Sequence, residues 1–260
     1  MEVRAKKSLG QHFLINQEIA KNIVGSLQGH KALEVGPGMG VLTQYLIERP
    51  ETDFKAVEID DESVTYLRKR FPRLGDGLIE GDFLKMDLGS IFNDEYSVIG
   101  NFPYNISSQI FFKILEHRDQ VTEIVCMVQK EVAERIAEKP GTKVYGILSV
   151  FLQAWYDIEY LFGVEPGAFN PPPKVHSAVI RLTRNDRQSL GCDEKLFRTV
   201  VKTAFGQRRK TLRNSLKPLI LSIFKEDSQR FLSDPIFELR PERLGVDDFV
   251  DLCKRMSGIQ

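Results

Sequence analysis

The string Asn101-Phe102-Pro103-Tyr104 brings together three groups able to hold a planar amino group. The Asn101 amide oxygen and the Pro103 carbonyl accept hydrogen bonds from N–H groups, and the Tyr104 ring offers a stacking face. An aromatic amine is a poor nucleophile because its lone pair is delocalised into the ring. Two acceptors on its N–H groups bias the nitrogen toward a tetrahedral lone pair. Positioning and desolvation then carry the rate, and no strong base is needed.

Such a nitrogen needs an electrophile, and an earlier string offers a place for one. Leu33-Glu34-Val35-Gly36-Pro37-Gly38-Met39-Gly40 reads as a strand running into a glycine turn, where a ligand can approach bare backbone at Gly36, Gly38 and Gly40. The spacing is GxGxG. Val41 stands where a dinucleotide fingerprint needs its third glycine, which disfavours an NAD-dependent dehydrogenase. With Glu34 two residues before Gly36, the ExGxGxG form is similar to the S-adenosylmethionine motif of class I methyltransferases. Two later acids fit the same ligand. Glu58, 22 residues after Gly36, closes a second strand and can accept from ribose hydroxyls. Asp82, in Glu80-Gly81-Asp82-Phe83-Leu84, follows a third and can accept from an adenine amine. The combination implies methyl transfer from S-adenosylmethionine to an exocyclic amine, with adenine the best fit. A base inside a helix must be flipped or presented unpaired to reach such a pocket.

The elements that must position these residues alternate. Ala32–Val35, Lys55–Ile59, Gly77–Glu80, Ser97–Gly100 and Ile124–Gln129 read as buried strands of a parallel sheet. Gln17–Leu27, Val41–Arg49, Glu62–Phe71 and Ser108–His117 carry apolar residues at helical spacing between them. The expected fold is α/β, a Rossmann-like and mostly parallel sheet. Glu159–Val164 and Ser177–Thr183, separated by Pro166–Pro173, predict an antiparallel pair closing it. A polar linker, 184–193, leads to a helical tail at Glu194–Phe205, Lys210–Phe224, Ser228–Leu232 and Val246–Met256. Asp247 and Asp248 suit a helix N-terminal turn. The expected domains are 1–184, the transferase sheet, and 185–260, a small all-α domain.

Net charge over the 260 residues is zero, but its distribution is uneven. Residues 184–260 carry 16 basic and 11 acidic side chains, net +5, which leaves the remainder at −5. Such asymmetry points to an anionic partner. Lys202, Arg208, Arg209, Lys210, Arg213 and Lys217 form a stripe with no acid among them, suited to phosphate contacts without base readout. Arg4, Lys6 and Lys7 offer a second basic contact. Three scattered cysteines without a CxxC pair argue against a disulfide framework or structural zinc, and four scattered histidines lack ligand spacing, so no metal is expected. No apolar run is long enough to span a bilayer and the basic N-terminus lacks the apolar stretch of a signal peptide. The expected location is cytoplasmic. No heptad seam appears, which fits a monomer.

Over nearly its full length the chain resembles the KsgA-type small-subunit ribosomal RNA adenine dimethyltransferases. The resemblance rests on Lys7–Leu14, Leu33–Thr43, Val57–Asp60, Gly100–Ser107, Met127–Val132, Phe169–Ser177 and Ala204–Leu216. It implies dimethylation of two adjacent adenosines in a hairpin near the 3′ end of 16S rRNA, with the small ribosomal subunit as partner and a role in its biogenesis. Carried over by position, Gln11, His12 and Leu14 would line the cofactor, with Gly36, Gly38, Gly40, Glu58, Asp82 and Asn101 completing its site. Asn101, Pro103 and Tyr104 would handle the adenine, and Phe169 would supply a second aromatic wall. Read from residue type alone, Phe169 before a triple proline is equally a core plug. His12 stands where the family usually has Asn, which opens a pH dependence near neutrality. Phe102 stands where Leu is usual, which narrows the distance to the large-subunit resistance-type dimethyltransferases, an alternative the tail string disfavours. A non-catalytic assembly factor on the same fold is the other alternative, disfavoured by the intact Asn101–Tyr104 string.

Overall fold

The computed structural model describes residues 3–50, 52–225 and 228–258. Their contacts divide the chain into two compact units, one of residues up to Ala133 plus Tyr156–Arg184, the other of Glu134–Trp155 and everything from Asn185. The boundary expected from composition, after residue 184, is one of three places where the chain passes between units. The segment 134–155 belongs with the helical unit.

In chain order the first unit contains β1 (Phe13–Leu14), α1 (Gln17–Gly25), β2 (Lys31–Val35), α2 (Thr43–Leu46), β3 (Asp53–Glu58), α3 (Asp61–Arg70), β4 (Leu78–Glu80), β5 (Tyr96–Asn101), α4 (Ser107–Glu116) and β6 (Val121–Gln129). The dividing point falls within α5 (Lys130–Ala137), and α6 (Ile147–Gln153) follows. The chain then returns with β7 (Tyr156–Val164), β8 (Phe169–Asn170) and β9 (Ser177–Arg184).

Seven strands form one sheet in the order β4-β3-β2-β5-β6-β9-β7. The β4 to β6 portion is parallel, while β9 runs antiparallel to both β6 and β7. β5 is buried from Tyr96 through Gly100 and β2 from Ala32 through Val35, as strands covered on both faces should be. The expected closing pair is present with β9 inserted between β6 and β7, so the later strand lies inside and the earlier one at the edge. β1 and β8 make a separate antiparallel pair, Leu14 opposite Phe169. The helix expected over 41–49 shrinks to the four residues of α2, because its N-cap Leu42 supplies no capping side chain and the preceding Gly40 holds φ +76°.

The second unit packs α6 against α7 (Glu194–Gly206), and α7 against α8 (Leu212–Phe224) and α10 (Val246–Met256), with the short α9 (Ser228–Leu232) beside α8. Its core includes Phe197, Val200, Leu212, Phe237 and Phe249, all at most 2% exposed. Asp193 caps α7 through bonds from the Lys195 and Leu196 N–H groups, and Asp248 accepts the Gly245 N–H at the start of α10. Among the described residues no helix is long and apolar enough to cross a membrane.

Candidate cofactor and amine site

Because β2, β3, β4 and β5 are parallel, their C-terminal ends lie together, and the segments leaving all four line one cavity of about 260 Å³. Gln11, His12, Leu14, Gly36, Gly38, Glu58, Asp82, Asn101, Pro103 and Tyr104 all reach it. These are ten of the positions expected from the sequence, drawn from five separate stretches of chain.

At the β3 end, Glu58 is 3% exposed and accepts three backbone N–H groups: Gly38 on Oε2, and Ile59 and Asp60 on Oε1, each at 2.9 Å. Burial raises its carboxyl above the usual range, and the three N–H donors pull it back. A carboxylate offers about four lone-pair sites, so one on Oε2 remains open. That geometry suits one direct hydroxyl contact, fewer than the pair expected from the sequence. Gly38 has φ +57°, and a Cβ there would sit 2.8 Å from the Phe13 ring, so only glycine presents this N–H to Glu58. At Gly36, φ +68°, a Cβ would meet no protein atom within 4 Å, which leaves bare backbone facing the cavity.

At the β4 end, Asp82 Oδ1 accepts the Leu84 N–H at 3.0 Å, and Oδ2 lies 3.3 Å from the exposed Lys85 ammonium. This turn leaves a partly exposed carboxylate on the cavity wall. Under the β2 end, Glu34 is 1% exposed and takes the Thr43 hydroxyl at 2.6 Å. Burial pushes its carboxyl up to about 8; the Thr43 hydroxyl opposes that and the Glu58 charge adds to it.

At the β5 end, Asn101 Nδ2 donates to the His12 carbonyl at 2.9 Å. A carbonyl only accepts, so this bond fixes which way the amide is turned. Oδ1 is left as the available acceptor, with no donor to it among the described residues. The Tyr104 hydroxyl hydrogen-bonds Ser177 at the head of β9, and burial raises its pKa. The His12 ring stacks beside Tyr104, centroids 5.6 Å apart at 26°. His12 Nδ1 meets the Pro171 carbonyl at 2.9 Å, so that nitrogen carries the proton and Nε2 is the acceptor in the neutral ring.

The N-terminal segment is tied down at several points. Asp60, 3% exposed, pairs with Lys6; burial would raise its carboxyl, but Lys6, Ser63 and Gln11 outweigh that and hold it below the usual range. Lys6 is thus engaged by Asp60 and Glu62 of its own chain while its side chain stays 36% exposed, which lessens the free charge it brings to the expected second basic contact. β1 pairs with β8, and the Ile15 N–H reaches the Ala168 carbonyl at 2.8 Å.

Two expected site residues do not line the cavity. Phe169 is 3% exposed and packs with Leu14, Val164 and Val179 in the core, where its pairing with β1 holds it; the core-plug alternative is the one its surroundings match. A Cβ on Gly40 would collide with Phe71 of the turn after α3, so that glycine serves helix packing. The basic stripe is also uneven. Lys202, Arg209, Lys210 and Lys217 are exposed, but Arg213 pairs with Glu238 and Arg208 is turned onto the Lys143 and Tyr145 carbonyls. Thr43 and Ser177, which hold Glu34 and Tyr104, were not singled out in the sequence. Each ends one of the strings that carry the resemblance, Leu33–Thr43 and Phe169–Ser177, which is the one signal that could have found them.

Known proteins resemble this chain in sequence and in fold. The family model described as ribosomal RNA adenine dimethylase matches residues 2–235. The chain is 57% identical over 253 residues to the ribosomal RNA small subunit methyltransferase A of Parabacteroides distasonis, covering 96% of this chain and 93% of that one. It is 57% identical over 257 residues to the protein of the same name from Porphyromonas gingivalis, covering 97% of each. Among solved structures, a dimethyladenosine transferase from Plasmodium falciparum superposes with TM-score 0.78 at 26% identity, over 95% of this chain and 98% of that one. The 23S rRNA methyltransferase ErmE, at TM-score 0.65 and 21% identity over 93% and 99%, shares the fold.

Proposed function

The chain belongs to the ribosomal RNA adenine dimethylase family, and from that premise we propose that it transfers methyl groups from S-adenosylmethionine to the N6 amines of two adjacent adenosines in a 3′-end hairpin of 16S rRNA on the small ribosomal subunit. The full-length identity to small-subunit enzymes favours that target over the large subunit, since the ErmE likeness is one of fold. The observation that carries the chemistry is the Asn101 amide, anchored through Nδ2 to His12 and so presenting Oδ1 as an acceptor.

The cavity fits the cofactor by its donors and its space. Gly36 leaves a cradle that a Cβ would enter, Glu58 keeps one acceptor site for a ribose hydroxyl, and Asp82 offers a carboxylate for the adenine amine. When bound, S-adenosylmethionine supplies an electrophilic methyl on a sulfonium, with a neutral thioether as leaving group. Asn101 Oδ1 and the Pro103 carbonyl would accept the N–H groups of the target amine, two before the first transfer and one before the second, and turn its lone pair toward the methyl; the N–H proton displaced at each transfer leaves to solvent. Tyr104 stacks on the base, its ring fixed by Ser177 at one end and flanked by His12. Holding the two reactants in line supplies most of the rate. The exposed Lys202, Arg209, Lys210 and Lys217 pair with rRNA phosphates.

The test is transfer of labelled methyl to undermethylated small subunits, with large subunits and free rRNA in parallel, followed by nucleoside identification. Dimethyladenosine from small subunits is expected. Label on large subunits alone would move the chain to the resistance-type reaction, and binding to small subunits without label would make it an assembly factor.

A further inference from the structure

Arg208 sits in the basic stripe but is turned inward. Its Nη2 donates to the Lys143 carbonyl at 2.7 Å and to the Tyr145 carbonyl at 3.3 Å. Those carbonyls belong to the loop 138–146 between α5 and α6, which composition placed in the sheet domain but which packs in the helical unit. The Thr142 hydroxyl accepts the Val144 and Tyr145 N–H groups, and the Gly141 N–H reaches the Glu242 carbonyl at 2.7 Å. The turn around Glu242 is joined in its turn to the start of α8, where the Leu212 N–H reaches the Leu239 carbonyl at 2.8 Å. Three stretches distant in sequence, 138–146, 207–212 and 239–244, thus close a hydrogen-bonded circuit.

Each stretch carries exposed cations: Lys139 and Lys143, Arg209 and Lys210, Arg240 and Arg243. None of the six has an ion-pair partner among the described residues. The acids nearby are occupied or withdrawn. Glu242 is 9% exposed, Glu238 holds Arg213, Glu138 accepts the Lys139 N–H, and Asp248 accepts the Gly245 N–H. A concentration of unpaired cations on one folded surface is an electrostatic match for a phosphate backbone.

We infer that the loop 138–146 is a phosphate-contacting element for rRNA, with Lys139 and Lys143 as its contacts, and that Arg208 is the positioning residue that presents it. The inference rests on the rRNA reading above. Both carbonyls are reached by Nη2 at the far tip of the Arg208 guanidinium; a lysine at the same place keeps the charge, but its ammonium sits on a shorter reach and is more strongly hydrated. Lys139 and Lys143 are flexible point charges on a fixed loop, suited to an irregular phosphate path.

The experiment measures binding to undermethylated small subunits across a salt series, with S-adenosylmethionine affinity as control. The double variant Lys139→Gln/Lys143→Gln changes two exposed side chains. It is expected to weaken subunit binding and lower the salt slope by about 2, one for each phosphate no longer neutralised, with cofactor affinity unchanged. Arg208→Lys is expected to weaken subunit binding although net charge is kept, and to open the 142–146 amides to hydrogen exchange. A wild-type salt slope in the double variant, or wild-type binding in Arg208→Lys, overturns the inference. The underlying rRNA reading fails separately, if the wild-type protein neither binds nor methylates small subunits.

Discussion

At one end of the cavity Glu58 is gripped by three backbone N–H groups; at the other, Asn101 is held by one side-chain bond to the His12 carbonyl. The nucleoside end is built into the sheet, since Gly38, Ile59 and Asp60 lie in the segments leaving β2 and β3. The amine end depends on a distant piece of chain, the N-terminal segment, itself fastened by the Lys6–Asp60 pair and the β1–β8 ladder. On the proposed reading, the first end is a preformed cradle that binds the cofactor and the second an assembled one that acts on the amine. Lesions at the two ends should therefore separate affinity from turnover.

The largest expected effect is at the amine end. Asn101→Ala removes the anchored acceptor and should lower kcat by about 10²–10³-fold, on the scale seen when one oriented transition-state partner is lost. Single-turnover methylation checks this, and an unchanged kcat with a raised cofactor KM would erase the distinction between the ends. Glu58→Gln comes next. Its amide NH₂ faces backbone donors, leaving a buried N–H without an acceptor at about 1–3 kcal/mol, so calorimetry should show cofactor binding weaker by about 5- to 150-fold. Turnover at saturation should change by much less. Tyr104→Phe and Ser177→Ala each break the hydroxyl pair but keep the ring, worth about 1 kcal/mol or about fivefold in kcat/KM. The double variant should add little to either single one, because the two share a partner. Full additivity would show that the pair does not act as a unit.

The smallest effect lies beneath the nucleoside end. The Glu34 carboxyl, raised from 4.5 to about 8, is neutral in the folded protein at pH 7 and charged in the unfolded chain. Its contribution is fully present below about pH 4.5 and is lost as pH rises through about 8. Glu34→Gln mimics the neutral acid, so the fall in Tm from pH 5 to pH 8 should be shallower in that variant. Parallel curves would mean that Glu34 ionises in place.

The same contrast explains what was legible from sequence. Glu58, Asp82 and Asn101 stood out because each closes or follows a short apolar strand, and parallel strands bring such ends together whatever the intervening helices do. Residue type left Phe169 open between core plug and aromatic wall, because the choice depends on pairing with Leu14 across 155 residues of chain. α6 went unseen for a different reason. Leu148 through Leu152 are all buried, so the segment shows no polar face and no helical period. The insertion of β9 between β6 and β7 leaves no trace in composition either. Charge was visible along 202–217, but the partners of Arg208 and Arg213 were not, since Lys143, Tyr145 and Glu238 lie outside that run.

The excursion of residues 134–155 into the helical unit governs how the protein can be taken apart. A truncation after residue 184 keeps α6 but removes α7, including the Phe197 ring that Phe151 meets edge-on. The fragment would display an apolar helix and tend to aggregate. Hybrids that graft one relative's helical unit onto another's sheet must therefore exchange two stretches, 134–155 and the region from 185 onward, as a matched pair. Inheritance of the helical unit follows the same rule: it is a module in space but not in the gene.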